Sequence, residues 1–226
     1  MKITFLGDSL TWGGYGGNFV EEVAKRLLNH EIINSGHGGN TVVNLLRRLD
    51  DVLSQEPDAI FVMVGGNDAI SYTQPDTRAY YKSIQKLENG PVDPDTFASS
   101  YRDLLTQIQA QYVHAMVGLP PIEYSELIIK AMTEYNNIAR DIARQLNVPV
   151  LDLAAHFTPD TAPSHNPLNL KAIQLIGHRS QSGWHDYENE RKRLGYTYTF
   201  DGTHLMPGAA SKFADLIVPF LREHVL

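Results

Sequence analysis

No cysteine occurs among the 226 residues, which excludes disulfides, thiolate metal sites and a thiol nucleophile. Positive charge is also scarce: 19 Lys plus Arg stand against 26 Asp plus Glu, a net charge of −7, and the basic residues form no cluster. Such a chain is a poor partner for phosphate backbones or anionic lipid, so neither a nucleic-acid nor a membrane partner is expected. Long apolar runs are missing as well. Met1-Lys2 leads straight into Ile3–Leu6, a stretch too short for a signal peptide or a membrane span. The expectation is a cytoplasmic protein. What is present is ordinary globular composition, 42% hydrophobic and 20% charged, which excludes collagen-like, coiled-coil and wholly disordered chains.

Short apolar runs alternate with segments of helical period, the pattern of a parallel sheet with helices on both faces. Ile3–Leu6, Glu31–Asn34, Asp58–Val64, His114–Leu119 and Val148–Leu153 read as five strands. Between them, helices are expected after the cap Asn18, from Asn40 or Thr41 through Leu53, after the cap Asp95, through Leu127–Leu146, and from about Ala209 to the end. The reading is an α/β fold: a three-layer α/β/α sandwich around a flavodoxin-like five-stranded parallel sheet of order 2-1-3-4-5, with residues 1–226 forming one domain. Two stretches break the alternation, at about 71–94 and 154–200. Loops of that length either cover a binding site or are surface excursions with short helices.

Three strand ends and the turn before the last helix carry chemistry. Gly7-Asp8-Ser9-Leu10 follows the first strand and exposes a serine at the carboxyl edge of the sheet, where open α/β sheets bind ligands. A serine hydroxyl is a weak nucleophile unless a base takes its proton. Asp201-Gly202-Thr203-His204 supplies one: on a turn, the carboxylate can hold one ring nitrogen as donor and leave the other free to accept. Asn34–Thr41 follows the second strand, with glycines that allow close approach of a backbone N–H, and Gly65-Gly66-Asn67-Asp68 follows the third, with the Asn67 amide as a possible fixed donor to an oxyanion. Each block alone also reads as turn chemistry. Together they place nucleophile, base, orienter and two donors at one edge of one sheet.

These blocks resemble those of the SGNH hydrolases, the GDSL esterase/lipase family: Gly7-Asp8-Ser9-Leu10, then Asn34-x-Gly36-x-x-Gly39-x-Thr41, Gly65-x-Asn67-Asp68, and Asp201-x-x-His204, all in family order. The resemblance implies Ser9 as nucleophile, His204 as general base and then acid, and Asp201 as its orienter. It also implies an oxyanion hole made of the Ser9 N–H, the Gly39 N–H and the Asn67 side chain. No metal and no cofactor is required. The Gly-x-Ser-x-Gly elbow of the α/β-hydrolases is absent.

Other features invite a function and carry less. His156, His165, His178 and His185 share the second excursion, but none stands closer than seven residues to the next, so no metal site is expected. Gly13–Gly17 lacks the spacing of a phosphate loop. Trp12, Tyr72, Trp184, Tyr187, Tyr196, Tyr198 and Phe200 either contact substrate or form the small core that holds the excursions down, and Trp12 is taken as a candidate substrate contact. The expected activity is that of a serine esterase on small carboxylic esters, short-chain acyl or O-acetyl carbohydrate. The alternatives are a lysophospholipase or thioesterase acting on longer chains, an acyltransferase, and a catalytically silent binding module on the same fold.

Overall fold

A computed structural model describes residues 1–226. The strands are β1 (Lys2–Gly7), β2 (Glu31–Gly36), β3 (Ala59–Met63), β4 (His114–Gly118) and β5 (Val150–Leu151), all parallel, in the order β2-β1-β3-β4-β5. The helices in chain order are α1 (Ser9–Trp12), α2 (Phe19–Arg26), α3 (Val42–Arg47), α4 (Leu49–Leu53), α5 (Gly66–Thr73), α6 (Arg78–Ser83), α7 (Pro94–Ala110), α8 (Glu126–Gln145), α9 (Ala154–Phe157), α10 (Leu170–Gln181), α11 (Tyr187–Leu194) and α12 (Pro207–His224). None is long and apolar enough to cross a membrane.

The unbroken apolar run of β3 follows from cover on both faces. Ile60 and Val62 pack with α3, α4, α7 and α8, while Ala59, Phe61 and Met63 pack with α2 and α12. Strand β1 divides its side chains in the same way, Leu6 to the first layer and Ile3 and Phe5 to the second. The expected sandwich and strand order are therefore present.

Three local expectations need correction. The predicted helix through Leu53 is broken at Arg48 (φ −107°, ψ 12°), separating α3 from α4. Helix α7 is capped by Asp93, whose carboxylate accepts from Thr96 N at 2.7 Å, rather than by Asp95; Pro94 then takes the first helical position, where a missing N–H costs nothing. The last strand spans two residues instead of six. Pro149 has no N–H to give the ladder, only a carbonyl that accepts from Val117 N, and β5 is an edge with a single neighbour.

The two excursions are largely helical. Residues 71–94 hold the end of α5, a 3₁₀ turn at Pro75–Thr77 and α6; residues 154–200 hold α9, α10 and α11. In the second, Trp184, Tyr187 and Phe200 pack against Tyr15 with centroid separations of 4.9–6.1 Å, and Phe200 and Tyr196 are buried. Those aromatics are the core of the excursion. Trp12 and Tyr72 stay exposed.

Candidate active site

Ser9 is the first residue of α1, directly after β1, on a turn that Asp8 caps by accepting from Leu10 N at 3.0 Å. Asp201 and His204 come from the far end of the chain. They lie on a tight turn closed by the antiparallel pairing of Thr199 with Leu205 and by Phe200 N donating to His204 O. The Asp201 carboxylate accepts from three groups of its own turn: Thr203 N at 3.0 Å, Thr203 Oγ1 at 2.9 Å and His204 N at 2.8 Å. Its second oxygen lies 2.8 Å from His204 Nδ1, and His204 Nε2 lies 3.1 Å from Ser9 Oγ. With the ring hydrogen on Nδ1 facing the carboxylate, Nε2 is the acceptor for the serine proton.

Electrostatics fit this direction of transfer. Burial alone would raise the Asp201 pKa, but the positive charge of the protonated His204 ring and the hydrogen bonds from His204 and Thr203 outweigh it and hold the carboxyl below its usual range. Burial likewise works against charging His204. The Asp201 charge and hydrogen bond overcome it, with a smaller contribution from Asp8, and the imidazole pKa sits above its ordinary 6.5. A base with a raised pKa is protonated, and useless as a base, below that value. Ester turnover is therefore expected to fall toward acid with a midpoint above pH 6.5, measured as kcat/KM against pH; a midpoint clearly below that would separate His204 from proton transfer.

The two donor positions converge on the same cavity, of about 240 Å³, which Ser9, Trp12, Gly39, Asn67, Asp201 and His204 all line. Gly39 has φ +78°, and a Cβ there would collide with Tyr80 Oη and Gln85 Nε2, so the position demands glycine for both conformation and space. Its N–H donates to no backbone carbonyl. Asn67 is the second residue of α5, and Tyr81 Oη donates to its Oδ1 at 2.9 Å, which fixes Nδ2 as the donor side of the amide. That Nδ2 also reaches Asp8 Oδ2 at 3.3 Å. All the predicted site residues are thus brought together, with Trp12 on the exposed rim.

Several supporting residues escaped the sequence reading. The buried Glu123 carboxylate accepts from the backbone N–H groups of Thr197, Tyr198 and Thr199 and from the Thr199 hydroxyl, and its own N–H donates to Gly202 O. It pins the segment that leads into Asp201 and His204. Arg48, at the break between α3 and α4, donates to Gly7 O, Ser35 O, Ser35 Oγ and Asn40 Oδ1, binding the ends of β1 and β2 to the Gly39 turn. Asp68 accepts from Val42 N at 3.0 Å at the start of α3, and burial pushes its carboxyl up to about 8. Burial also raises the Asp8 carboxyl, to about 6, against the pull of Leu10 N–H, His204 and Asn67. The loop histidines do not gather: His165 Nε2 lies 3.1 Å from Leu194 O, His185 Nδ1 lies 3.0 Å from Gly183 O, and no three His, Asp or Glu residues form a cluster able to hold a metal ion.

The sequence profile of the GDSL-like lipase/acylhydrolase family matches residues 5–172, about three-quarters of the chain. The chain belongs to that family. The matched span contains Ser9, Gly39 and Asn67 and ends before Asp201 and His204. Among curated family relatives, an acetylxylan esterase of Geobacillus stearothermophilus is 27% identical over 179 residues, covering 69% of this chain and 77% of its own. Among solved structures, an acetyl xylan esterase superposes with a TM-score of 0.66 at 23% identity, covering 98% of this chain and 100% of the other. A lipase/acylhydrolase from Enterococcus faecalis superposes with a TM-score of 0.64 at 21% identity, covering 98% and 95%. At those identities the structural likeness establishes the family's fold and strand order.

Proposed function

We infer that the protein is a serine esterase that hydrolyses carboxylic esters through an acyl-enzyme on Ser9. The observation that carries this reading is the continuous Ser9–His204–Asp201 relay, with heavy-atom separations of 3.1 and 2.8 Å.

In the reaction, Ser9 Oγ attacks the ester carbonyl carbon while His204 Nε2 takes the hydroxyl proton. The carbonyl π electrons move onto oxygen, and that oxyanion sits against the Ser9 and Gly39 N–H groups and Asn67 Nδ2. Collapse expels the alcohol, which leaves with the proton held by His204. A water molecule then gives its proton to His204 and attacks the acyl carbon. The second tetrahedral adduct breaks to the free carboxylic acid, and His204 returns the proton to Ser9. Asp201 keeps the ring in the productive tautomer and stabilises its charged form, and Tyr81 keeps Asn67 pointing its donor side at the oxyanion.

The test is hydrolysis of nitrophenyl acetate and butyrate by the purified protein, with turnover stopped by one equivalent of a fluorophosphonate. Absence of turnover on every ester together with no reaction with the probe would move the chain to the silent binding-module reading. A second expected result concerns the oxyanion: Asn67→Ala lowers kcat by about 10²–10³, the usual consequence of losing one such donor. A loss below tenfold would remove Asn67 from that role.

A further inference from the structure

Helix α10 is unlike the other long helices in that none of its residues is buried, and its N-cap Asn169 accepts from Ala172 N at 3.1 Å. It is fastened at its two ends. Before its start, Leu168 is buried in the core and its N–H donates to Gln74 Oε1 at 2.9 Å. Near its close, Arg179 donates to the buried Glu190 at 2.7 Å and stacks over Trp184 at 4.1 Å from the ring centre. Between these anchors the helix spans the cavity beside Ser9. Ile173, Ile176, Gly177 and Ser180, spaced i, i+3, i+4 and i+7 and therefore on one face, line that cavity. Ile70, Tyr81, Ile122 and Leu168 line the same cavity. The result is an apolar slot with a nucleophile at one side.

Resting on the serine-esterase reading, the geometry points to this slot as the binding site for the acyl chain of the substrate, and to esters of medium-chain fatty acids, hexanoyl to decanoyl, as the substrate class. Helix α10 is the wall that sets chain length. The 240 Å³ cavity has to hold both the acyl and the alcohol parts of an ester, and an acetyl methyl, needing no more than the ~30 Å³ a water molecule takes in the liquid, would leave the part walled by Ile173 and Ile176 to solvent. Each further methylene that moves from water onto Ile173, Ile176 and the other apolar lining residues contributes binding until the slot is full. Ser9 and Asn67 line the same cavity as these apolar residues.

The test is kcat/KM for nitrophenyl esters from acetate to dodecanoate. It is expected to rise by about fourfold per methylene over the first members, the factor corresponding to one buried methylene, and to peak between hexanoate and decanoate. Gly177→Leu is the diagnostic variant. A Cβ at Gly177 meets no other atom within 4 Å, and leucine suits a helix better than glycine, so the fold tolerates the change while the new side chain fills part of the slot. The ratio of octanoate to acetate kcat/KM is expected to drop at least tenfold in Gly177→Leu and again in Ile176→Trp. It is expected to stay unchanged in Leu175→Gln, on the exposed outer face. A maximum at acetate, or ratios unmoved in both inward variants, overturns the acyl-slot assignment while leaving the serine mechanism standing. Loss of all turnover and of fluorophosphonate reactivity in the unmodified protein would instead overturn the mechanism on which the assignment rests.

Discussion

Ser9→Ala is expected to lower kcat by roughly 10⁶ with little change in the fold, the magnitude seen when a serine hydrolase loses its nucleophile. The expectation comes from how little else the hydroxyl does. Its Oγ bonds only His204 Nε2, at the first turn of a helix of four residues, and the residue is half-buried. Losing one such hydrogen bond costs about 1 kcal/mol, a shift of a few degrees in Tm for a domain of this size. Asp8, Asn67 and the Asp201 turn keep their own partners in the variant. Residual turnover within a hundredfold of the unmodified protein would mean that another group attacks the ester. A large fall in Tm would mean that the serine is structural.

Asp201→Asn is the second large effect, about 10⁴ in kcat. Here the argument turns on hydrogen positions. Asp201 Oδ1 can be replaced by the amide oxygen, which still accepts from Thr203 N, Thr203 Oγ1 and His204 N, so the turn survives. The other carboxylate oxygen becomes an NH₂ facing His204 Nδ1, two donors opposed. Relief comes when the ring moves its hydrogen to Nε2, which then points at Ser9 Oγ and can no longer accept from it. The charge that raises the His204 pKa also disappears, leaving burial as the dominant influence, and burial lowers it. The acid limb of the residual activity therefore moves to lower pH. An unshifted limb with near-normal kcat would leave Asp201 as a turn-former alone.

How much of this could be read from the sequence differs by element, for physical reasons. The strand β3 and its neighbours were legible because full cover on both faces demands an uninterrupted apolar run, and the strand order placed Ser9 and Asn67 at adjacent strand ends. Asp201 and His204 were legible because their interaction is local, three residues apart on one turn. Glu123 was not. Its partners lie more than seventy residues away, and a single glutamate after Pro120-Pro121 has no signature until the 197–199 segment is folded onto it. The contacts of Tyr81 and Arg48, though nearer in sequence, also exist only once the chain is folded, as does the two-residue length of β5, which depends on having only one neighbour. Helix α10 hid for another reason: with no buried residue, it lacks the strong apolar stripe that marks a core helix, and its weak one, Ile173 and Ile176, faces a cavity.

The claim beneath all of this is that His204 makes the Ser9 oxygen reactive. Fluorophosphonate labelling followed by peptide mapping tests it directly in the unmodified protein and in His204→Ala. The account predicts one adduct, on Ser9, formed in the unmodified protein and reduced at least a thousandfold in rate by the substitution. Labelling of Ser9 at an undiminished rate without the imidazole, or an adduct on a different residue, would contradict it.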